Sequence, residues 1–404
     1  MPLFKKNEAS INICMPSAEI LPGYVDTSVL RKHFPRQFED CCRSLSLNKN
    51  EPDLSNELQL DLKVQNLLRK WQEAKSTPFQ ICYTKGILQN CHKIGEGLYG
   101  EVFLHKNGSG GTSVAKIIPF EGSQIVNGEK QKKFEDILSE AIIATQLSNL
   151  RYNKNNNTDL FIEVQNLRYV HGCYPEELME LWKLYEETRG SENDFPGIFT
   201  DEQQYIILET SYGGCDLESF LFDDASQAIS MFIQVSCAIA VAEAELLFEH
   251  RDLHWGNILL TRVPKQEEII FILNGQEIRV KSCGVKATII DFTFSRITVN
   301  QLNICNDLGK DRDIFNGSGD YQFEIYRLMQ KKNGNEWFHF DPYSNILWLS
   351  YVLDKTLSSV RYTNSCTKLH KKSMAKLREL NLDILAYDST REFVLYLFDN
   401  NKIL

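Results

Sequence analysis

The residues best suited to chemistry lie in the stretch HRDLHWGNILL, residues 250–260, where Asp252 and Asn257 share one short loop. A carboxylate there can accept the proton of an attacking hydroxyl, and an amide oxygen can help hold Mg²⁺ against phosphate groups. Asp291 ends a second apolar run and would supply a harder ligand for the same ion. This combination predicts phosphoryl transfer, with Asp252 as the base and with Asn257 and Asp291 as metal ligands.

Upstream, the sequence GEGLYGEV contains Gly95, Gly97 and Gly100. Because glycine lacks a Cβ atom, backbone N–H groups in such a loop can approach phosphates closely. Three glycines in one turn are, by themselves, more often only a turn. A strand rather than a helix is expected to follow them, which argues against a Rossmann or Walker loop.

Lys116 lies inside the apolar run VAKII, where its apolar neighbours favour a functional charge over a solvated edge residue. Such a charge needs an acid, and Glu140 on the next predicted helix is the natural partner. The pair could orient nucleotide phosphates, although Glu140 alone would most often be a solvated helix residue.

The predicted elements place these residues far apart along the chain. KIGEGLYGEVFLH and TSVAKIIPF are expected to form an antiparallel pair around a turn that begins at Asn107. QYIILE and KATIID are expected to be short buried strands, and a hairpin is predicted to turn at Asn274 and Gly275. Helices are predicted for residues 60–71, 131–148, 176–187 (in an insertion of uncertain purpose) and 226–248.

Length and composition are those of a globular protein with 404 residues and 43% hydrophobic content, which suits one two-lobed domain plus an extension, or two domains. Residues 1–56 lack periodicity and are expected to be a flexible extension. The formal charge of -10 argues against broad or sequence-specific DNA binding and favours a basic partner. No secretory signal or membrane span is expected, and the cysteines offer no C-x-x-C spacing for zinc or redox chemistry.

The order of these parts resembles the protein kinase signature over about residues 90–400. G-x-G-x-x-G-x-V corresponds to Gly95 through Val102, and H-R-D-L-x-x-x-N corresponds to His250 through Asn257. Thr293 replaces the glycine of D-F-G, and no Ala-Pro-Glu motif follows. Small-molecule kinases share the D-L-H-x-x-N loop, so this loop alone leaves protein and metabolite substrates open.

Longer strings are similar to the haspin family of atypical protein kinases: FEHRDLHWGN, FEGSQIVNG, GSGDYQFEIYRLM and HFDPYSNILWL. The resemblance implies an α+β, bilobal kinase domain at residues 57–404 with haspin-type insertions. Its small β-rich N-lobe would cover about residues 57–208, and its larger helical C-lobe about residues 211–404. ATP and Mg²⁺ are the implied cofactors.

The same resemblance assigns roles to further residues. The stretch from Glu209 to Gly213 would be the hinge that holds adenine through its backbone, with Thr210 at the back of the pocket. Asp216 and Asp320 would meet basic groups of a peptide, and His254 is a further candidate for substrate contact. The implied nucleotide-binding residues are Gly95, Glu96, Gly97, Gly100, Val102, Val114, Lys116, Glu209, Thr210, Ser211, Tyr212 and Gly213.

The implied substrate is the amino-terminal tail of histone three, phosphorylated in mitosis at the threonine of its Ala-Arg-Thr-Lys sequence. An acidic protein suits such a basic peptide. Ser318 stands where the family carries the first acid of its G-D-G-D-Y string, which removes one charge near the expected groove. The resemblance further implies a monomeric nuclear protein that acts on chromosomes.

Two other interpretations remain open at this point. A pseudokinase scaffold is favoured only by Thr293, and the intact set Lys116, Asp252, Asn257 and Asp291 argues against it. A small-molecule kinase for an aminoglycoside- or choline-like acceptor is favoured only by D-L-H-x-x-N. Arg251 and His250 are expected to be structural, since a base role for His250 would duplicate Asp252.

Overall fold

The structure is a computed structural model that describes residues 76–400 apart from 98, 107–110 and 312. The predicted extension, the helix predicted at 60–71 and most of the turn after Lys106 lie outside these residues. Within them, residues 76–211 are rich in strands and are called the sheet part below. Residues 212–400, called the helical part, carry most of the long helices.

A six-stranded sheet dominates the sheet part, in the order β1-β7-β8-β4-β3-β2. Neighbouring strands are antiparallel except β1 and β7. The strands of this part, including the small hairpin β5–β6, are β1 (Thr77–Pro78), β2 (His92–Gly97), β3 (Gly100–Lys106), β4 (Thr112–Phe120), β5 (Ile125–Val126), β6 (Glu129–Lys130), β7 (Val164–His171) and β8 (Gln204–Ser211).

Alternation along β4 explains where its lysine points. Ala115 and Ile117 belong to a core beneath the short helices at the start of the described chain. Ile118 and Phe120 lie on the opposite face, in the main core with the long helix that follows. Since side chains two residues apart share a face, Lys116 lies on the side of that helix.

The long helix of the sheet part spans Phe134–Asn149, in agreement with the helix predicted at residues 131–148. Its predicted apolar stripe is buried against the sheet, including Phe134, Ile137 and Ala141. Glu140 is 4% exposed on the same helix. The helices of the sheet part are α1 (Phe79–Cys82), α2 (Lys85–Leu88), α3 (Phe134–Asn149) and α4 (Glu176–Arg189), with 3₁₀ turns at Leu150–Tyr152 and Pro196–Ile198.

The helical part is built around one apolar helix, α5 (Ala225–Leu246). Asp224 caps its amino end by accepting a hydrogen bond from Ser226 N at 2.8 Å, and Leu247 ends it in a left-handed conformation. By length and composition α5 could span a membrane, but 94% of its apolar window is buried inside the protein, as in a core helix. The remaining helices are α6 (Asp313–Asn316), α7 (Tyr321–Asn333), α8 (Tyr343–Ser358), α9 (Lys368–Asp383) and α10 (Thr390–Asp399), with 3₁₀ turns at Trp255–Asn257, Leu308–Lys310 and Ile384–Ala386.

Short strands of the helical part hold the predicted catalytic loop. The predicted hairpin forms, with positive φ at Asn274 and Gly275 as a type I′ turn requires. The sheet β14-β11-β9 pairs Ile258 with Ile289. The strands of this part are β9 (Cys215–Asp216), β10 (Leu221–Phe222), β11 (Ile258–Arg262), β12 (Glu268–Leu273), β13 (Gln276–Lys281), β14 (Val285–Ile289), β15 (Arg296–Val299), β16 (Leu302–Cys305) and β17 (Arg361–Tyr362).

Strand β14 ends two residues earlier than the sequence pattern predicts. It stops at Ile289, whereas the pattern extended the strand to Asp291. Asp291 has a φ of 58°, in the left-handed region, and an extended strand cannot continue through that conformation. This turn directs the Asp291 carboxylate toward the sheet part.

Candidate active site

Lys116 and Glu140 form the predicted ion pair, with 2.7 Å between Lys116 Nζ and Glu140 Oε1. The Asp291 carboxylate approaches the same ammonium group at 3.7 Å. Burial disfavours the charged lysine, but the carboxylates of Asp291 and Glu140 outweigh it and hold the pKa of Lys116 above its ordinary value. The lysine is therefore charged at neutral pH and joins the sheet part to the helical part.

Thr293 ties the two acids of this group together. Its backbone N–H donates to Asp291 Oδ1 at 3.1 Å, and its hydroxyl donates to Glu140 Oε2 at 3.0 Å. Burial would raise the pKa of Asp291, but Lys116 and the Thr293 hydrogen bonds hold it below its ordinary value. The residue that set this sequence apart from D-F-G thus forms hydrogen bonds with both acids of the site.

Asp252 and Asn257 are close neighbours in the loop between α5 and β11. Asn257 Nδ2 donates to the backbone carbonyl of Asp252 at 2.8 Å, and this leaves its amide oxygen as the atom to offer a cation. Ile290 N donates to Asn257 O at 3.0 Å, so the β11–β14 pairing brings Asn257 next to Asp291. The fold thereby brings Lys116 and Asp291 to the loop that carries Asp252 and Asn257.

The Asp252 side chain is partly buried, with 16% of its surface exposed, and only one of its two carboxylate oxygens accepts a hydrogen bond from the described residues. Burial raises its pKa to about 6, so it remains mostly ionised at neutral pH. Tyr326 OH donates to its Oδ1 at 2.5 Å. His254 Nε2 lies 3.9 Å from Oδ2, while His254 Nδ1 accepts from Gly256 N at 3.1 Å, which assigns the proton of the neutral ring to Nε2.

The donor set at this site fits Mg²⁺. Asn257 and Asp291 offer hard oxygen atoms, and Mg²⁺ typically takes one or two protein ligands together with phosphate oxygens and waters. The Asp291 side chain keeps 36% of its surface exposed. In the described part of the chain, no group of three or more His, Cys, Asp or Glu side chains offers a competing all-protein metal site.

Arg251 and His250 are structural, as predicted. Arg251 is fully buried and makes two hydrogen bonds to Glu249, at 2.9 and 3.1 Å, and one to the carbonyl of Trp337 at 2.8 Å. His250 Nε2 lies 3.2 Å from the carbonyl of Ile290, and burial lowers the pKa of this histidine to about 4. Neither side chain reaches a surface where a substrate or a regulatory phosphate could bind.

The three glycines flank the turn between β2 and β3 and serve different needs: Gly95 and Gly97 lie in β2, and Gly100 begins β3. A Cβ atom at Gly100 would lie 2.2 Å from the carbonyl oxygen of Ile117, so β4 itself requires glycine there. A Cβ at Gly95 or Gly97 would meet nothing within 4 Å. Packing therefore does not explain these two glycines, which agrees with a loop that a ligand's phosphates approach.

The insertion that contains α4, for which the sequence suggested no role, forms hydrogen bonds with the glycine-rich segment. Asn193, after α4, donates to the carbonyl of Gly97 at 3.1 Å and to Glu101 Oε1 at 2.9 Å. Glu96 accepts from Ser191 Oγ at 2.6 Å and from the backbone of Glu192 at 2.7 Å, so its side chain holds the insertion. These contacts join residues more than 90 positions apart, so no local pattern could have revealed them.

The predicted hinge, Glu209–Gly213, begins within β8 and continues past its end, and the structure places its side chains on different faces. The Glu209 carboxylate is buried on the face away from Lys116, where it accepts from Tyr83 at 2.5 Å and from Arg168 at 2.9 Å. Only its backbone could therefore face a nucleotide. Val114 pairs with Thr210 across β4 and β8, on the face of Lys116. The remaining members of the predicted nucleotide set are Val102, opposite Lys116, and Ser211, Tyr212 and Gly213 at the end of β8.

The predicted peptide-binding acids lie near the catalytic loop, but one of them is neutralised. Asp216 pairs with Leu259 of β11 and accepts from Ser219 N at 2.7 Å. Asp320 caps α7 and accepts from Lys355 Nζ at 2.6 Å, so its charge is shared with a lysine that the sequence pattern did not single out. Its role toward a peptide stays a prediction. Glu218 is a further acid beside Asp216. Partial desolvation of its carboxyl group and, second, the neighbouring Asp216 charge raise the pKa of Glu218.

Comparison with known proteins agrees with this geometry. A family model described as the haspin-like kinase domain matches residues 24–393. The chain is 37% identical to a serine/threonine-protein kinase haspin homolog of Drosophila melanogaster, over 96% of this chain and 70% of that protein. It is 40% identical to the haspin kinase of Mus musculus and 42% identical to that of Bos taurus, over 78% and 74% of this chain. The chain spans only 42% and 38% of these two mammalian relatives. The resemblance seen in the sequence motifs is confirmed: the chain belongs to the haspin-like family of serine/threonine-protein kinases.

Proposed function

We propose that this chain transfers the γ-phosphate of ATP to the threonine of the Ala-Arg-Thr-Lys sequence at the amino terminus of histone three. The observation that carries the proposal is the convergence of Lys116, Asp252, Asn257 and Asp291 at one site. In this proposal the sheet part and the helical part are the two lobes of a bilobal kinase, and ATP binds between them.

Each side chain has one task in the proposed reaction. Lys116, held by Glu140, presents a fixed positive charge to the α and β phosphates. Asn257 and Asp291 would hold Mg²⁺, which neutralises phosphate charge when bound. Asp252 offers Oδ2, which lies 3.9 Å from His254 Nε2 and accepts no hydrogen bond from the described residues, to the threonine hydroxyl. It takes the hydroxyl proton as the threonine oxygen bonds to the γ-phosphorus and the bond to the β-phosphate breaks, so that ADP leaves. Positioning and electrostatics supply most of the catalysis.

The choice of a basic peptide rests on charge. Asp216 and Glu218 border the catalytic loop, and the whole chain has a formal charge of -10. Acidic residues of this kind attract the amino terminus, arginine and lysine of the histone tail. Such a substrate implies a nuclear protein that acts on chromosomes in mitosis, and we propose that it works as a monomer.

A steady-state assay with ATP, Mg²⁺ and a peptide of the histone three tail tests this proposal. Phosphate should appear in the peptide, should be absent when alanine replaces its third residue, and should disappear when EDTA removes the metal. The KM for peptide should rise with ionic strength, because exposed charge pairs are screened by salt. Competing acceptors, an aminoglycoside and choline, should stay unmodified. Preferential phosphorylation of either acceptor, or peptide phosphorylation unaffected by EDTA, would refute the proposed reaction.

A further inference from the structure

The hydroxyl of Tyr326, on helix α7, forms a hydrogen bond with Asp252, the proposed base. Tyr326 lies in the second turn of α7, and its OH donates to Asp252 Oδ1 at 2.5 Å. The two residues are 74 positions apart, and Tyr326 lies in the string GSGDYQFEIYRLM, outside the catalytic-loop motif itself. Only the folded structure brings these two residues into contact.

The ring of Tyr326 is fixed independently of its hydroxyl. The residue is 4% exposed, and its ring centroid lies 5.3 Å from that of Trp348 and 6.4 Å from that of Phe294, both nearly edge to face. Such aromatic contacts hold a side chain in one rotamer. The hydroxyl is consequently presented to Asp252 from a rigid support rather than from a mobile loop.

The hydrogen bond distinguishes the two oxygens of the Asp252 carboxylate. Oδ1 is occupied by Tyr326, whereas Oδ2 lies 3.9 Å from His254 Nε2, beyond hydrogen-bond distance. A carboxylate held through one oxygen cannot rotate freely about its χ2 angle. The oxygen left over is the one that can accept a proton from a bound hydroxyl.

We propose that Tyr326 is a positioning residue for Asp252, one that keeps Oδ2 directed at the hydroxyl of the substrate. This inference rests on the proposed function, because it assumes that Asp252 is the base. The helix that carries Tyr326 is capped at its amino end by Asp320, a predicted peptide-binding residue. Helix α7 thus carries both a residue predicted to bind the peptide and the residue that orients the base.

The test is a kinetic comparison of the wild-type chain with Tyr326→Phe, which keeps the aromatic ring and removes only the hydroxyl. Loss of one hydrogen bond to a charged group should lower kcat about 10- to 100-fold. The KM values for ATP and peptide should stay within about twofold, since the Tyr326 hydroxyl bonds to Asp252, whose proposed task is in the chemical step. The matched control is Tyr362→Phe, which removes a hydroxyl bonded to the carbonyl of Thr356 at 2.7 Å, and its kcat should equal that of the wild type.

A double-mutant cycle separates positioning from a general structural effect. If Tyr326 acts through Asp252, the double variant Asp252→Asn, Tyr326→Phe should be no slower than Asp252→Asn alone. Multiplying losses, an unchanged kcat in Tyr326→Phe, or a loss explained by a lowered melting temperature would each overturn the inference. A wild-type chain that phosphorylates no peptide would refute the proposed function itself, a result distinguishable from all three.

Discussion

Asp252 and Arg251 are adjacent on one loop, yet their charged groups have different surroundings. The guanidinium of Arg251 is fully buried and paired with Glu249, whereas the carboxylate of Asp252 is held through Oδ1 and accepts no hydrogen bond at Oδ2 from the described residues. Arg251 has a φ of 64°, a strained conformation for a residue with a side chain. Adjacent residues of one loop therefore differ in role: Arg251 forms a buried ion pair that stabilises the fold, and Asp252 keeps one oxygen available for a substrate.

The largest effect on kcat is expected from replacement of Asp252. Asp252→Asn keeps the size and most hydrogen bonds of the side chain but removes the base. We expect kcat to fall on the order of 10² to 10⁴-fold while the melting temperature stays close to that of the wild type. Single-turnover phosphorylation of the histone peptide, followed beside thermal unfolding, measures both. Equal turnover by this variant would show that Asp252 is not the base.

Replacement of Arg251 should instead lower the stability of the folded chain. Arg251→Met leaves Glu249 buried without its main partner, which should reduce the free energy of unfolding by about 3–5 kcal/mol. Urea titration monitored by tryptophan fluorescence gives this value. The double variant with Glu249→Gln should recover part of the loss, because no unpaired charge remains. A stable Arg251→Met variant with a loss confined to kcat would reverse the roles assigned to the two neighbours.

A third buried charge, Glu243 of α5, predicts a pH dependence of stability. Burial raises the pKa of Glu243 to about 7, although Asn345 and the backbone of Arg391 donate to it. Between about pH 4.5 and pH 7 the folded chain therefore holds a proton that the unfolded chain has released, and stability falls as pH rises through this window. The change is on the order of 3 kcal/mol at most.

Glu243→Gln separates this group from the others. The variant should be less stable than the wild type at pH 5, since an amide cannot accept all the hydrogen bonds, but its unfolding free energy should vary less between pH 5 and pH 8. Urea unfolding at four pH values across that range measures the slope. Identical slopes in both proteins would assign the pH dependence to other groups.

The smallest expected effect concerns the hydroxyl of Thr293. Thr293→Val keeps the shape of the side chain but removes its hydrogen bond to Glu140, a loss of about 1 kcal/mol that should lower kcat/KM about fivefold. Thr293→Ser, which retains the hydroxyl, is the matched control and should behave as the wild type. If valine and serine perform alike, the bridge between the two parts does not influence catalysis.

Much of the fold and the centre of the site could be predicted from the sequence, because both depend on local patterns. The apolar stripe of α3 and the turn at Asn274 and Gly275 follow from helical periodicity and turn chemistry. Asp252 and Asn257 share one loop, so their relation is visible in the residue order.

The parts that could not be predicted are contacts between elements remote in sequence. Asn193 reaches the loop at Gly97, and Tyr326 reaches Asp252, only after the chain has folded. Lys355 neutralises Asp320 from helix α8, a pairing that no spacing rule encodes. Residue type alone could not distinguish a free acid from a paired one.

We propose that the assembled side chains transfer phosphate to one threonine of the peptide. Mass spectrometry of the product locates the added phosphate. After incubation of the chain with ATP, Mg²⁺ and a histone three peptide of about 20 residues, we expect one added phosphate, located on the threonine of Ala-Arg-Thr-Lys and lost with Asp252→Asn. Phosphate on another residue of the peptide, or an unmodified peptide after complete incubation, would contradict the claim.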